Sequence, residues 1–234
     1  MRTKSLCIVL LASLVAVCAI AVRSNAQSAY AKMAPLNRYL IADKNAEVAL
    51  ARSGAPPAVG RAAEVLVLGR DGYTTAVKGT NGFVCVVERS WAVETTDAQF
   101  WNPKIRAPLC FNAAAAKTFL PIYLMKTRMV LEGKSKQQIG AAIEAGFKTG
   151  RIPALAPGAM CYMLSKQQYL NDTGKSWHPH VMFYVSGAGA DKSWGANLDG
   201  SPMIAADDAQ EHTTVMMVWA PRWSDGTPGP PMQY

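Results

Sequence analysis

His178 and His180 flank a proline in Trp177-His178-Pro179-His180 and lead straight into the apolar run at 181–185. In extended chain the side chains alternate, so residues two apart share a face. Such a pair can present two imidazole nitrogens to one point, a geometry that serves metal binding or proton transfer, and neutral imidazole suits zinc, copper or nickel. Two ligands do not complete a site. His212 joins them only if its strand runs parallel to 180–185 or if the long loop before it folds back; Glu88, Cys161, Asp207 and Asp208 are the alternative third donors. The activity this constellation implies is that of an exported hydrolase, with zinc at His178 and His180 or with the two rings moving protons. The competing reading has both rings hydrogen-bonded to loop backbone at a strand edge.

Tryptophan placement points to another class of function. Trp91, Trp101, Trp177 and Trp194 all fall in or beside predicted loops. Aromatic rings at loop ends are common material for ligand platforms, though they also seal small cores. The leading expectation is therefore a ligand-binding or interaction module. Its surface would combine the Trp91–Trp101 loop, the Trp177 corner and the Trp194 loop, and no cofactor is required.

Glu88 lies on the same face of its strand as Val84 and Val86. It either marks the point where the strand leaves the core or is a half-buried carboxyl with a raised pKa, and Arg89 or Arg106 could pair with it. Cys161 and Cys85 sit in apolar strand-like runs with no glycine-rich elbow beside them, which favours burial over nucleophilic chemistry. The patterns G-x-S-x-G, S-x-x-K, H-E-x-x-H and C-x-x-C are absent, and Ser186-Gly187-Ala188-Gly189 lacks the rest of a dinucleotide fingerprint.

The chain opens Met1-Arg2-Thr3-Lys4, runs apolar from 6 to 22 and then reads Ser24-Asn25-Ala26, the three parts of a secretory signal. Cleavage after Ala26 leaves 234 − 26 = 208 residues of a soluble protein, periplasmic or secreted, with no membrane association. Arg2, Lys4 and Arg23 leave with the signal, so the net charge falls from +8 to 8 − 3 = +5. The remaining basic residues are scattered and form no concentrated footprint, which argues against a nucleic-acid partner. Cys85, Cys110 and Cys161 remain in an oxidising compartment, and Cys85–Cys110 is the expected disulfide, with Cys161 left as a thiol.

These residues need a scaffold. Residues 27–60 carry a helical pattern, with Asn45 as a cap and Gly54 as a stop. Strands are expected at 64–68, 73–78 and 83–89, linked by turns containing Asp71-Gly72 and Asn81-Gly82, as a three-stranded antiparallel meander. A long connection, 90–109, follows. Asn112 opens a helix that Pro121 kinks or restarts, and Ser135 with Gln138 forms a capping box for the next. Further strands are expected at 159–164, 180–185 and 213–219, while 221–234 is too rich in proline and glycine for a regular element. The sum is one α+β domain over 61–220, an antiparallel sheet of about six strands with a helical hairpin and the N-terminal helices mostly on one face.

Overall fold

The computed structural model describes residues 29–187, 195–196 and 203–231. The expected signal at 1–26, with Cys7 and Cys18, and the loop residue Trp194 lie outside them.

A short 3-10 turn at Leu36–Arg38 precedes helix α1 (Lys44–Arg52), whose cap is Asp43 accepting from Asn45 N, not Asn45 itself. A single turn, α2 (Pro57–Gly60), leads to strands β1 (Glu64–Gly69), β2 (Gly72–Val77) and β3 (Val84–Glu88). Strand β4 (Ala107–Phe111) is followed by helices α3 (Ala113–Thr118), α4 (Leu120–Leu131) and α5 (Lys136–Lys148). Pro121 falls in the first turn of α4, where its missing N–H costs nothing, so the chain breaks at Phe119 and restarts. The Ser135–Gln138 capping box opens α5, and Ile139 and Ile143 drive it into the core. Strands β5 (Met160–Met163), β6 (His180–Ser186), β7 (Met203–Asp208) and β8 (Thr213–Trp219) complete the fold.

Among the described residues, eight strands form a single sheet in the order β2-β1-β3-β4-β5-β6-β8-β7. This is two strands more than the sequence pattern predicts. Strand β4 lies at the end of the supposed irregular connection, and β7 lies inside the glycine-rich stretch after β6. The meander also needs correction, because β3 pairs with β1 in parallel and the other neighbouring strands pair antiparallel. The cause is burial. Strand β3 is apolar on both faces and takes an interior place, while Thr74 and Thr75 of β2 are exposed at the sheet edge. Gly79 permits the crossing: a Cβ there would meet Glu64 N at 2.1 Å, so the chain passes over the start of β1 only as glycine.

Helices cover both faces, not mostly one. Leu66, Val86, Leu109 and Phe111 face α3, α4 and α5, whereas Val65, Val67, Cys85, Val87 and Cys110 face α1. Cys85 and Cys110 are register partners on β3 and β4 and are joined in a disulfide. Helix α1 packs on β1, β3 and β4, and no described helix covers β6 and β8 on its side, where Phe183 is 38 % and Val218 46 % exposed. No helix among the described residues is long and apolar enough to cross a membrane.

An ion pair holds α1 to the sheet. Arg89 and Glu47 are both buried, with Arg89 Nη2 2.7 Å from Glu47 Oε1 and Arg89 Nε donating to Tyr39 O at 2.7 Å. Arg89 therefore serves α1 and not its neighbour Glu88. Arg106 is also committed elsewhere, donating to the carbonyls of Pro103 and Arg38.

Candidate functional site

Proline and the start of β6 fix the histidine corner. His180 is 1 % exposed, and its Nδ1 lies 2.6 Å from the carbonyl oxygen of His178, which can only accept. The neutral ring is thereby held with its proton on Nδ1. Burial, with a smaller push from the neighbouring His178 ring, lowers the pKa of His180 against the opposing pull of that carbonyl. His178 packs edge-on to Trp219 at 4.5 Å, and Trp177 packs edge-on to Trp219 at 4.8 Å and tilted against His180 at 5.4 Å. The corner is an aromatic plug at the end of β6 and β8.

Strand direction separates the third histidine from it. β8 runs antiparallel to β6, with Trp219 opposite His180 and Thr213 opposite Ser186, so His212 stands at the far end of the pair. Its ring stacks on Phe147 at 4.5 Å. Among the described residues, no three His, Cys, Asp or Glu side chains gather closely enough to hold a metal ion.

The tryptophan platform comes apart in a different way. Trp91 is fully buried, with its Nε1 donating to Thr127 Oγ1 at 2.8 Å, and Trp101 is buried against Phe100 at 4.6 Å. These two rings are core, so the 90–106 connection is tied down from within and offers no Trp91–Trp101 ligand surface. Only Trp177 of the four keeps a half-exposed ring among the described residues. Cys161 is likewise internal: burial, the larger effect, holds its thiol well above its ordinary range, and its Sγ lies 3.0 Å from the Tyr184 hydroxyl.

The groups with unusual chemistry lie elsewhere. Lys126 is 1 % exposed on the buried stripe of α4, between Ile122 and Val130. Its Nζ lies 2.6 Å from Glu211 Oε1 in the turn between β7 and β8, and it also donates to the carbonyls of Ala92 (3.1 Å) and Val93 (2.9 Å). All three ammonium hydrogens are thus used. Burial pushes Glu88, 6 % exposed, up to about 8; Lys126 opposes the shift and Glu211 adds to it. Glu211 is raised by burial too, again against Lys126, with Asp208 and Glu94 adding to the rise.

Above this pair opens a cleft of about 400 Å³. Ala92, Val93, Glu94 and Asp97 line one side, Asp208, Glu211 and Val215 the other, and Phe119 contributes from the start of α4. The Phe119 ring is itself stacked on Tyr184 at 3.9 Å, which fixes the apolar part. Asp208 is oriented by the backbone N–H groups of Gln210 and Glu211, both 2.8 Å from its Oδ1. A second cavity of similar size lies on the other side of the β7–β8 turn, lined by Glu144, Phe147, Lys148, Ala209 and His212.

No protein-family model, curated protein or solved structure matches this chain. The cleft is read from its own chemistry, and it is the place where a cavity, a buried ion pair and a displaced carboxyl pKa coincide. Of the cleft's lining, sequence reasoning reached Asp208, and of the buried charges beneath it Glu88, each offered as a third donor to the histidine pair. It missed Lys126, Glu211, Glu94 and Asp97. The signal for Lys126 was available: a lysine three and four residues from Tyr123 and Ile122 interrupts an otherwise apolar stripe.

Proposed function

We propose that the exported chain is a ligand-binding protein whose site is the cleft between the 92–97 segment and the β7–β8 turn. The observation that carries this reading is the buried Lys126–Glu211 pair at a cleft of about 400 Å³, a size within the range of small-molecule sites. Buried ion pairs are a weak source of stability, so one retained beside an open cavity is better explained by the site than by the fold.

The lining selects the ligand class. Glu94, Asp97, Asp208 and Glu211 bring carboxyl groups, while Val93, Phe119 and Val215 bring apolar surface. Lys126, buried beneath the cleft, has its hydrogens spent on Glu211 and two carbonyls, and Lys136 at the rim donates to the carbonyl of Asp97 at 2.8 Å. A small organic cation with an apolar body fits this lining, and an anion does not. The expected outcome in titration calorimetry is that 2-phenylethylamine binds, whereas 3-phenylpropionate and 2-phenylethanol bind at least about tenfold more weakly. A Glu94→Gln/Asp97→Asn double variant should lose most of the amine's advantage while staying folded, since both positions are exposed. Equal affinity for the amine and the carboxylate, or a preference that survives the double variant, would overturn the assignment.

A further inference from the structure

The cavity on the other side of the β7–β8 turn shares no lining residue with the first cleft. Its volume is about 400 Å³, and Glu144, Phe147, Lys148, Ala209 and His212 line it. The turn that divides the two cavities is fastened down. Gln210 lies on Gly140 of α5, where a Cβ would meet its Nε2 at 2.5 Å, and its Oε1 accepts from Thr95 Oγ1 at 3.2 Å. Asp208 Oδ1 takes the N–H groups of Gln210 and Glu211. His212 leaves the turn at φ 51°, a left-handed conformation uncommon in a residue with a side chain. Its carbonyl accepts from Gly187 N at 2.8 Å, which ties it to the end of β6.

The His212 ring lies flat on Phe147, with 4.5 Å between centroids and 6° between planes. His212 is exposed, so the ring face turned away from Phe147 meets solvent, and an aromatic ligand can extend the stack there. Glu144 and Lys148 stand one helical turn apart on α5. Both are exposed, and among the described residues neither has a salt-bridge partner. Residues four apart on a helix have Cβ atoms about 5–6 Å from each other. A carboxylate and an ammonium that close together complement the two charged groups of an α-amino acid, which are carried on a single carbon.

We propose that this cavity is a second binding site, for a free α-amino acid with an aromatic side chain. Glu144 receives the ammonium, Lys148 the carboxylate, and His212 on its Phe147 base the ring. A simple amine leaves Lys148 without a partner, and a simple carboxylate leaves Glu144 without one. The first cleft does not compete for this ligand, because the carboxyl groups of Glu94, Asp97, Asp208 and Glu211 oppose its carboxylate. The inference does not depend on what the first cleft binds.

Titration calorimetry at neutral pH with L-phenylalanine tests it. The amino acid should bind, and N-acetyl-L-phenylalanine and L-phenylalanine amide should each bind at least about tenfold more weakly. Both derivatives are also measured on the Glu94→Gln/Asp97→Asn double variant, so that the first cleft does not capture the cationic amide. Glu144→Gln, Lys148→Gln and His212→Gly should each weaken L-phenylalanine about tenfold or more. All three positions are exposed, and glycine adopts the backbone of His212 freely, so each variant should keep the far-ultraviolet circular dichroism of the unsubstituted chain. The Glu94→Gln/Asp97→Asn chain should bind L-phenylalanine undiminished while losing 2-phenylethylamine. Absence of binding, or equal affinity for either derivative in the double variant, would overturn the proposal. So would binding that survives the α5 and His212 substitutions, or that disappears with Glu94 and Asp97. Failure of 2-phenylethylamine alone would tell against the first cleft and leave the second site standing.

Discussion

Glu88 allows a quantitative test of the polar cluster. Its carboxyl rises from an ordinary 4.5 to about 8 because it is buried, with Lys126 only partly offsetting the effect. Above pH 4.5 the unfolded chain gives up this proton, while the folded chain keeps it until about pH 8. The folded state therefore binds more protons across this window, and stability falls as pH rises through it, levelling off above the folded value. A tenfold change in proton affinity is worth about 1.36 kcal/mol, so the difference between 4.5 and about 8 is on the order of 5 kcal/mol. That is a large part of the total stability of an ordinary domain. Glu88→Gln keeps the shape and removes the titration. The expected result is that the variant gains on the unsubstituted chain by roughly 4 kcal/mol between about pH 5 and about pH 9, most of the full difference, read from urea unfolding monitored by tryptophan fluorescence. Acids that do not touch Glu88 titrate in both proteins and cancel in the difference, and the coupling to Glu211 is the smallest of the three causes acting on Glu88. Asp172 and Asp225, whose carboxyls are depressed by hydrogen bonds, act only in stronger acid. A stability difference that stays flat over this range would refute the reasoning, because it would mean that Glu88 is ionised in the folded protein at neutral pH.

Two further outcomes test the scaffold. The Cys85–Cys110 bond closes a loop with a sequence separation of 25, for which the loop-closure relation gives about 3.5 kcal/mol; a Cys85→Ala/Cys110→Ala variant should lose about that much in denaturant unfolding, and a loss under about 1 kcal/mol would count against a constraint on the unfolded chain. At the corner, His180→Ala should cost about 3 kcal/mol by removing a buried ring and its hydrogen bond, and Phe183→Ala only about 1 kcal/mol, since Phe183 is 38 % exposed. The reverse order would mean that the uncovered side of β6 is covered in solution and that the corner is dispensable.

The contrast between His180 and Phe183 shows what could be read in the sequence. Local signals carried well: the Ser135–Gln138 box, the restart at Pro121 and the hairpin at Gly72 each depend on residues within a few positions of one another. Period-2 alternation places His180 and Phe183 on opposite faces of one strand. It does not say which face has a helix on it, and α1 stops short of β6, so the phenylalanine is left half in water and the imidazole is buried. The same limit turned Trp91 and Trp101 from a supposed platform into core. Their loop position was legible, but their burial depends on α4 supplying Thr127 as a partner to Trp91 from 36 positions away. Strand β4 escaped notice because Ala107-Pro108-Leu109-Cys110-Phe111 is buried at every position and shows no alternation to detect. The parallel placing of β3 was hidden because a tight glycine turn reads as a hairpin whether the chain pairs with the preceding strand or crosses to the one before it. Glu211 is the extreme case. Eighty-five positions separate it from Lys126, and nothing near it marks it among the acids of its turn. The lysine was readable as a charge on an apolar stripe, and a charge there requires a buried counter-charge. That requirement could have been written down from α4 alone; only the topology, by bringing the β7–β8 turn over α4, says which acid meets it.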